Sequence, residues 1–161
     1  MIRPATEDDL PALTRVAAGT EMFLGDELSH FTQSMEAHLS PTEGDGGAFS
    51  LLAAADDASG AVVGAAYFGP EAMAQGVMNL LFIGVLPEAR RGGHGGVLLS
   101  AFEDAVAAAD ARLAIIETAS DEMFAPAWGL YRSRGYDEEA RVRDYYDDGL
   151  DKLVFRKRVK R

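Results

Sequence analysis

The sequence predicts a mixed α/β fold, one sheet flanked by helices, in the order βααβββαβαββ. Apolar residues alternate with polar ones in some segments and recur at 3/4 spacing in others, the periods of strands and of amphipathic helices. Glycine and proline separate these segments at short intervals. The size agrees: 161 residues, 48% apolar and 25% charged, suit one compact domain over residues 1–161.

The elements follow in order. Ile2 to Ala5 reads as a first strand, and Thr6 caps a helix over Glu7 to Ala18 with Leu10, Leu13 and Val16 on one face. Asp26 to Leu39 repeats the pattern with Leu28, Phe31, Met35 and Leu39. Pro41 to Gly47 is a turn-rich loop. Phe49–Ala55, Ala61–Phe68 and Val77–Val85 read as three strands of an antiparallel meander, because short turns join them and Gly69-Pro70 breaks the chain. A helix from about Gly95 to Ala109 buries Leu98, Phe102, Ala105 and Val106. Leu113 to Glu117 is nearly all apolar, the mark of a strand buried on both faces. Pro126 to Arg134 is a helix, with proline in its first turn and Gly135 at its C-terminal cap. Tyr136–Tyr145 and Lys152–Val159 close the sheet.

Composition narrows the chemistry. With no cysteine, thiolate catalysis, disulfides and cysteine-ligated metal are excluded. His30 and His38 stand eight apart with no third ligand in view, so no metal is expected. The net charge of -11 repels nucleic acid and anionic membranes and favours cationic partners such as amines, or serves solubility alone. The basic end, Phe155 to Arg161, reads as the outer face of a last strand in preference to a nucleic-acid tail. The N-terminus has no signal-peptide pattern, and Val77 to Leu86, interrupted by Asn79, falls short of the ~20 apolar residues of a spanning helix. A cytoplasmic protein is expected.

The informative segment is Val85-Leu86-Pro87-Glu88-Ala89-Arg90-Arg91-Gly92-Gly93-His94-Gly95-Gly96. A strand enters a glycine-rich loop that opens a helix. A helix N-terminus offers unpaired N–H groups and a partial positive charge of roughly half a unit. Glycines let the backbone approach a bulky anion, and Arg90 and Arg91 add charge. The pattern is that of a pyrophosphate cradle. A Walker loop fails, since Val97 and Leu98 follow where lysine and serine or threonine are needed. A dinucleotide-binding loop fails at its third glycine, where Leu98 stands, although Glu117 lies at a suitable distance.

Arg90-Arg91-Gly92-Gly93-His94-Gly95 resembles motif A of the GNAT superfamily of acyl-CoA-dependent acyltransferases, Arg/Gln-x-x-Gly-x-Gly/Ala, and Val85-x-Pro87 stands where that family has V-x-P. Phe124 to Tyr136 resembles its N-x-x-A-x-x-L-Y-x-x-x-G-F/Y helix, with Ala127, Leu130-Tyr131 and Gly135-Tyr136 matching and Phe124 in place of the asparagine. Glu117-Thr118-Ala119 and Asp144-Tyr145-Tyr146 to Asp151-Lys152 resemble a bacterial branch with an "ETS" strand end and a "DFY-x-x-GDDK" hairpin. The likeness runs from about Phe49 onward.

The resemblance implies a mostly antiparallel sheet with a splayed parallel pair, and acetyl transfer from acetyl-CoA to an amine of a small molecule or protein by direct attack. It implies that Ile83, Gly84 and Val85 supply backbone groups to the acyl arm, and that Arg90, Arg91, Gly92, Gly93, His94, Gly95 and Gly96 hold the pyrophosphate. Tyr131 would protonate the departing thiolate, as a phenol of pKa near 10 can. Phe124 and Trp128 either line the pantetheine channel or pack in the core. His94 contacts phosphate or solvent. Candidate bases are Glu117, whose burial would raise its pKa, Glu21 and Glu27, or a carboxylate acting through water. Homodimers are common among such relatives. The rival reading is an acyl-CoA-binding sensor or scaffold without turnover.

Overall fold

The computed structural model describes residues 1–23, 25–40 and 48–159. The expected loop over 41–47 lies outside the described residues, as do the last two residues of the basic end. Seven strands form one mixed sheet: β1 (Ile2–Pro4), β2 (Ser50–Ala55), β3 (Val62–Pro70), β4 (Val77–Val85), β5 (Leu113–Ala119), β6 (Asp137–Asp147) and β7 (Leu150–Arg158). Their order is β1-β2-β3-β4-β5-β7-β6. The helices are α1 (Leu10–Gly19), α2 (Glu27–Leu39), α3 (His94–Ala108) and α4 (Ala125–Ser133). The β4–β5 pair is parallel, whereas β1–β2, β2–β3, β5–β7 and β6–β7 are antiparallel. The predicted mixed fold and element order are therefore present.

The chain divides into two compact units. The first comprises Met1–Gly69 and Phe82–Phe102. Its core joins Leu13, Val16 and Ala17 of α1 and Met35 of α2 to Leu51, Ala53, Val62, Ala65 and Phe82. Phe31 of α2 lies 4.9 Å from Phe23 and 4.8 Å from Phe82, ring centre to ring centre, so aromatic packing adds to area burial in seating α2. Elsewhere in the unit Phe102 of α3 meets Phe68 edge-on at 5.2 Å. The start of α1 differs from the expected helix. Glu7–Asp9 is a 3-10 turn, and Thr6 caps it together with Asp9, whose carboxylate accepts from the Thr6 N–H at 2.8 Å and hydroxyl at 3.0 Å. Arg3 donates to both oxygens of the same carboxylate, at 2.6 and 2.7 Å, and so ties β1 to α1.

Gly69-Pro70 does not break the chain where the dipeptide suggests. β3 runs to Pro70, since proline is tolerated at a strand end, and Gly69 is small because the Phe49 ring lies where its Cβ would be.

The second unit comprises Pro70–Leu81 and the chain from Glu103 onward. Here β5 departs from expectation. Ala114, Ile116 and Thr118 are buried, but Leu113, Ile115, Glu117 and Ala119 are half-buried, so only one face is sealed. β7 places Leu153 and Phe155 in the core. The basic residues from Arg156 to Arg158 are thus part of a strand and its end, as the strand reading of that segment expects. β6, at the sheet edge, is exposed along its whole length, and its charges suit an unpaired edge.

The Arg3–Asp9 contact generates a pH prediction. Donation from Arg3 is the main cause that lowers the Asp9 carboxyl from 3.8 to about 2. A depressed carboxyl adds stability above its unfolded pKa and loses it as pH falls toward the folded value. Asp9→Asn should cost on the order of 2 kcal/mol at pH 7. The gap between the two proteins should close between about pH 4 and pH 2, read by denaturant titration at each pH.

Candidate active site

The predicted cradle is built by backbone geometry. β4 ends at Val85, a 3-10 turn covers Pro87–Ala89, and α3 starts at His94. Arg91 has φ +69° and Gly93 has φ +81°. The left-handed region is uncommon for a side chain such as arginine, and such outliers gather at ligand-binding turns. Turns with positive φ are among the conformations from which main-chain N–H groups can be aimed at an anion. The Val97 N–H donates to the Gly93 carbonyl at 3.1 Å, which opens the α3 ladder. The N–H groups of His94 and Gly95 lie ahead of it, where a helix offers no intrahelical partner. No heavy atom stands within 4 Å of a Cβ built on Gly93, so that side of the loop is open.

The charged residues of the loop divide. Arg90 donates through Nη2 to the Gly19 carbonyl at 3.2 Å and through Nε to the Val85 carbonyl at 3.4 Å. It braces the loop against α1 and β4, a role the sequence did not suggest. Arg91 is exposed. The His94 ring covers Gly92, where a Cβ would meet Cδ2 at 3.1 Å. His94 also neighbours Asp56, whose carboxyl is held below its ordinary value chiefly by donation from Ser59 and in smaller part by His94.

Ile83, Gly84 and Val85 form the end of β4. The parallel register with β5 runs from Val77↔Leu113 to Leu80↔Ile116, and β4 continues past it to Val85. Gly84 is enforced by packing. A Cβ there would lie 2.6 Å from Phe82 Cζ and 2.6 Å from the Thr20 methyl. Thr20 is buried, and its hydroxyl donates to the Ala17 carbonyl at 2.7 Å.

In the second unit, Tyr131 of α4 is 3% exposed, with its ring edge-on to Phe155 at 5.4 Å. Burial raises its phenol above the ordinary value, which keeps the hydroxyl protonated. Phe124 and Trp128 are half-buried, and the Trp128 indole nitrogen is buried with no hydrogen-bond partner among the described residues. Glu117 is not the isolated carboxylate that a buried strand end suggests. It pairs with Lys152 at 2.7 Å, and Lys152 lies 4.3 Å above the Tyr145 ring. Burial opposes the Lys152 ammonium, but Glu117 outweighs it and the pKa is raised. The β5–β7 register, Ala119↔Lys152, explains the contact, because it brings the two resembling segments side by side. Glu21, with φ +56°, and Glu27 are exposed where α1 ends and α2 begins. Among the described residues no group of three or more histidine, cysteine, aspartate or glutamate side chains is placed to hold a metal ion, and no helix is long and apolar enough to cross a membrane.

Comparison with known proteins agrees with this geometry. The sequence profile of the Acetyltransferase (GNAT) family matches residues 17–136. A GNAT-family protein from Desulfovibrio desulfuricans is 26% identical, with a TM-score of 0.87 over 99% of both chains. The ribosomal-protein-alanine N-acetyltransferase from Brucella melitensis is 27% identical, with a TM-score of 0.78 over 99% of both. A Salmonella typhimurium protein solved with acetyl-CoA shares the fold at 19% identity, with a TM-score of 0.75 over 100% of this chain and 94% of that one. No curated protein matches the chain by sequence.

Two glycines test the packing with opposite signs. Gly84→Ala should destabilise by about 1–3 kcal/mol, the usual cost of overpacking. Gly129, inside α4 with open space at its Cβ, should gain about 0.5–1 kcal/mol on replacement by alanine. Urea midpoints of the two variants decide both.

Proposed function

The chain belongs to the Acetyltransferase (GNAT) family, and from that premise we propose that residues 1–161 act as one catalytic domain that moves an acetyl group from acetyl-CoA to a primary amine of a small molecule or protein. The observation that carries this is the segment from Arg91 to Gly96, with positive φ at Arg91 and Gly93, which leads into the first turn of the fifteen-residue α3. These residues fit a pyrophosphate: the N–H groups of His94 and Gly95 sit at the positive end of a helix, the space beside Gly93 is open, and Arg91 is exposed beside it. Acetyl-CoA supplies the acyl group as a thioester.

The chain's own groups do the rest. The loop N–H groups bind the two phosphates, with Arg90 as brace. Backbone groups of Ile83, Gly84 and Val85 pair with the acyl arm and orient its carbonyl, for which β4 has length to spare beyond its register with β5. Phe124 and Trp128 flank the arm. The Tyr131 hydroxyl gives its proton to the departing sulfur, and its burial keeps that proton in place until then. The amine attacks directly. Its proton goes to one of the candidate carboxylates, Glu21, Glu27 or the Lys152-paired Glu117, directly or through water. The Brucella relative, an N-acetyltransferase by name, supports transfer to nitrogen. A cytoplasmic location and assembly as a homodimer belong to the same reading.

Gly93→Asp should abolish acetyl-CoA binding by calorimetry while the circular dichroism spectrum is unchanged, because it adds a negative charge in the cradle. Retained binding would remove the loop assignment. Tyr131→Phe should lower kcat by about 10²–10⁴-fold with little change in acetyl-CoA affinity, measured by thiol release over an amine panel. Wild-type binding with no thiol release on any amine would replace the enzyme by a sensor or scaffold.

A further inference from the structure

β6 forms one edge of the seven-stranded sheet and has a strand neighbour, β7, on one side only. It runs for eleven residues, about twice the usual strand, and every one of them is exposed. A long open edge is a template for a further strand. Three large apolar side chains, Val142, Tyr145 and Tyr146, also stand exposed on it. Charge divides the strand about its centre. Asp137, Glu138 and Glu139 precede Ala140, and Arg141 and Arg143 follow it. A bulge lies at the boundary, since the register with β7 passes from Glu138↔Phe155 to Ala140↔Val154 and skips Glu139. Residues three apart on a regular strand point to opposite faces. The extra residue puts Glu138 and Arg141 on the same face, opposite Phe155 and Leu153 of β7, and their side chains meet at 3.6 Å.

We propose that β6 is the homodimer interface, on which β6 of a second copy lies antiparallel about a two-fold axis at the bulge. This names a surface for the homodimer put forward above and rests on that reading. About such an axis Glu138 of each copy faces Arg141 of the other, on one face of the joined sheets. The contact is isologous, so the pair is made twice. A parallel arrangement would set Glu138 against Glu138 and Arg141 against Arg141. An unrelated strand meets a bulge and unmatched charges, the devices that keep edges unpaired. The sign pattern of β6 is matched by an antiparallel copy of itself. Within the chain Glu138 also pairs with Arg132 and Arg141 with Asp151, each at 2.8 Å, and both groups have capacity for a further partner. The net charge of -11 opposes association at long range, but physiological salt screens it beyond about 8 Å. One strand against one strand buries little surface, so the dimer is a weak one, with a dissociation constant on the order of 10–100 µM.

The test is sedimentation velocity of the full chain from about 5 to about 500 µM, a span that brackets this constant. The unaltered chain should pass from monomer to dimer. Arg141→Glu and Glu138→Arg each set like charges across the axis and should weaken the dimer by about 10-fold or more. The double variant Glu138→Arg/Arg141→Glu restores opposite signs and should recover the dimer. An equimolar mixture of the two single variants should do the same as a heterodimer. Both changes lie at the surface, where ion pairs add little to stability, and circular dichroism checks the fold. Acetyl-CoA affinity by calorimetry should be unchanged, since neither residue belongs to the cradle. A dimer that both single variants leave intact would overturn the β6 interface while the homodimer stands elsewhere. So would single variants that lose the dimer when neither the double variant nor the mixture recovers it. A chain that stays monomeric up to about 500 µM would overturn the interface and the homodimer together.

Discussion

The close approach of β3 to β4 at Gly64 governs where the cradle can form. A Cβ on Gly64 would lie 3.0 Å from the Gly84 carbonyl oxygen, 3.2 Å from Leu98 and 3.3 Å from Val85. Only a glycine lets the end of β4 and the first turns of α3 settle at this depth. Gly84, hemmed by Phe82 and Thr20, answers from the other strand. The loop between them then spans a fixed gap, and the Arg90 bonds to the Gly19 and Val85 carbonyls hold its base. The strain of a positive φ at Arg91 persists because its surroundings are held on both sides.

That rigidity matters because the protein's overall charge works against the proposed co-substrate. A net charge of -11 repels a polyphosphate at long range, so steering cannot supply its affinity. Binding then depends on short-range donors that are already aimed. Main-chain N–H groups at a helix mouth meet this need, since they cost no side-chain entropy and their direction is fixed by the helix. An amine acceptor meets the opposite field and is drawn to the same protein. Under the proposed function, one charge distribution weakens one substrate's approach and strengthens the other's, and the donors of the Arg91–Gly96 segment compensate locally for the first.

Local chemistry made much of this legible in the sequence. Strand, loop and helix around Arg90 to Gly96 could be read because helix N-termini and positive-φ turns have strict residue requirements. Pro126 and Gly135 marked the ends of α4 for the same reason. What could not be read depends on partners distant in sequence. Arg3 and Asp9 form a bidentate pair only once β1 has joined β2 and α1 has turned back. Gly69-Pro70 reads as a break, and nothing local shows that the Phe49 ring will take the place of its side chain. β5 reads as buried on both faces because its residues are apolar, yet one of its faces is only partly covered. Arg90 has a charge suited to phosphate, and two carbonyls outside its own turn claim it first.

Glu117 shows the same limit in the chemistry. A carboxylate at the end of an apolar strand invites assignment as a base, since burial alone would favour its neutral form. Register gives this carboxylate a partner. Antiparallel pairing of β5 with β7 places Ala119 opposite Lys152, and the ammonium reaches back along the face to Glu117. The Tyr145 ring lies beneath that ammonium at 4.3 Å. A base must be free to gain a proton during the reaction, and this carboxylate would have to abandon a partner at 2.7 Å to do so. The pair is better suited to fixing the end of β5 against the β6–β7 hairpin.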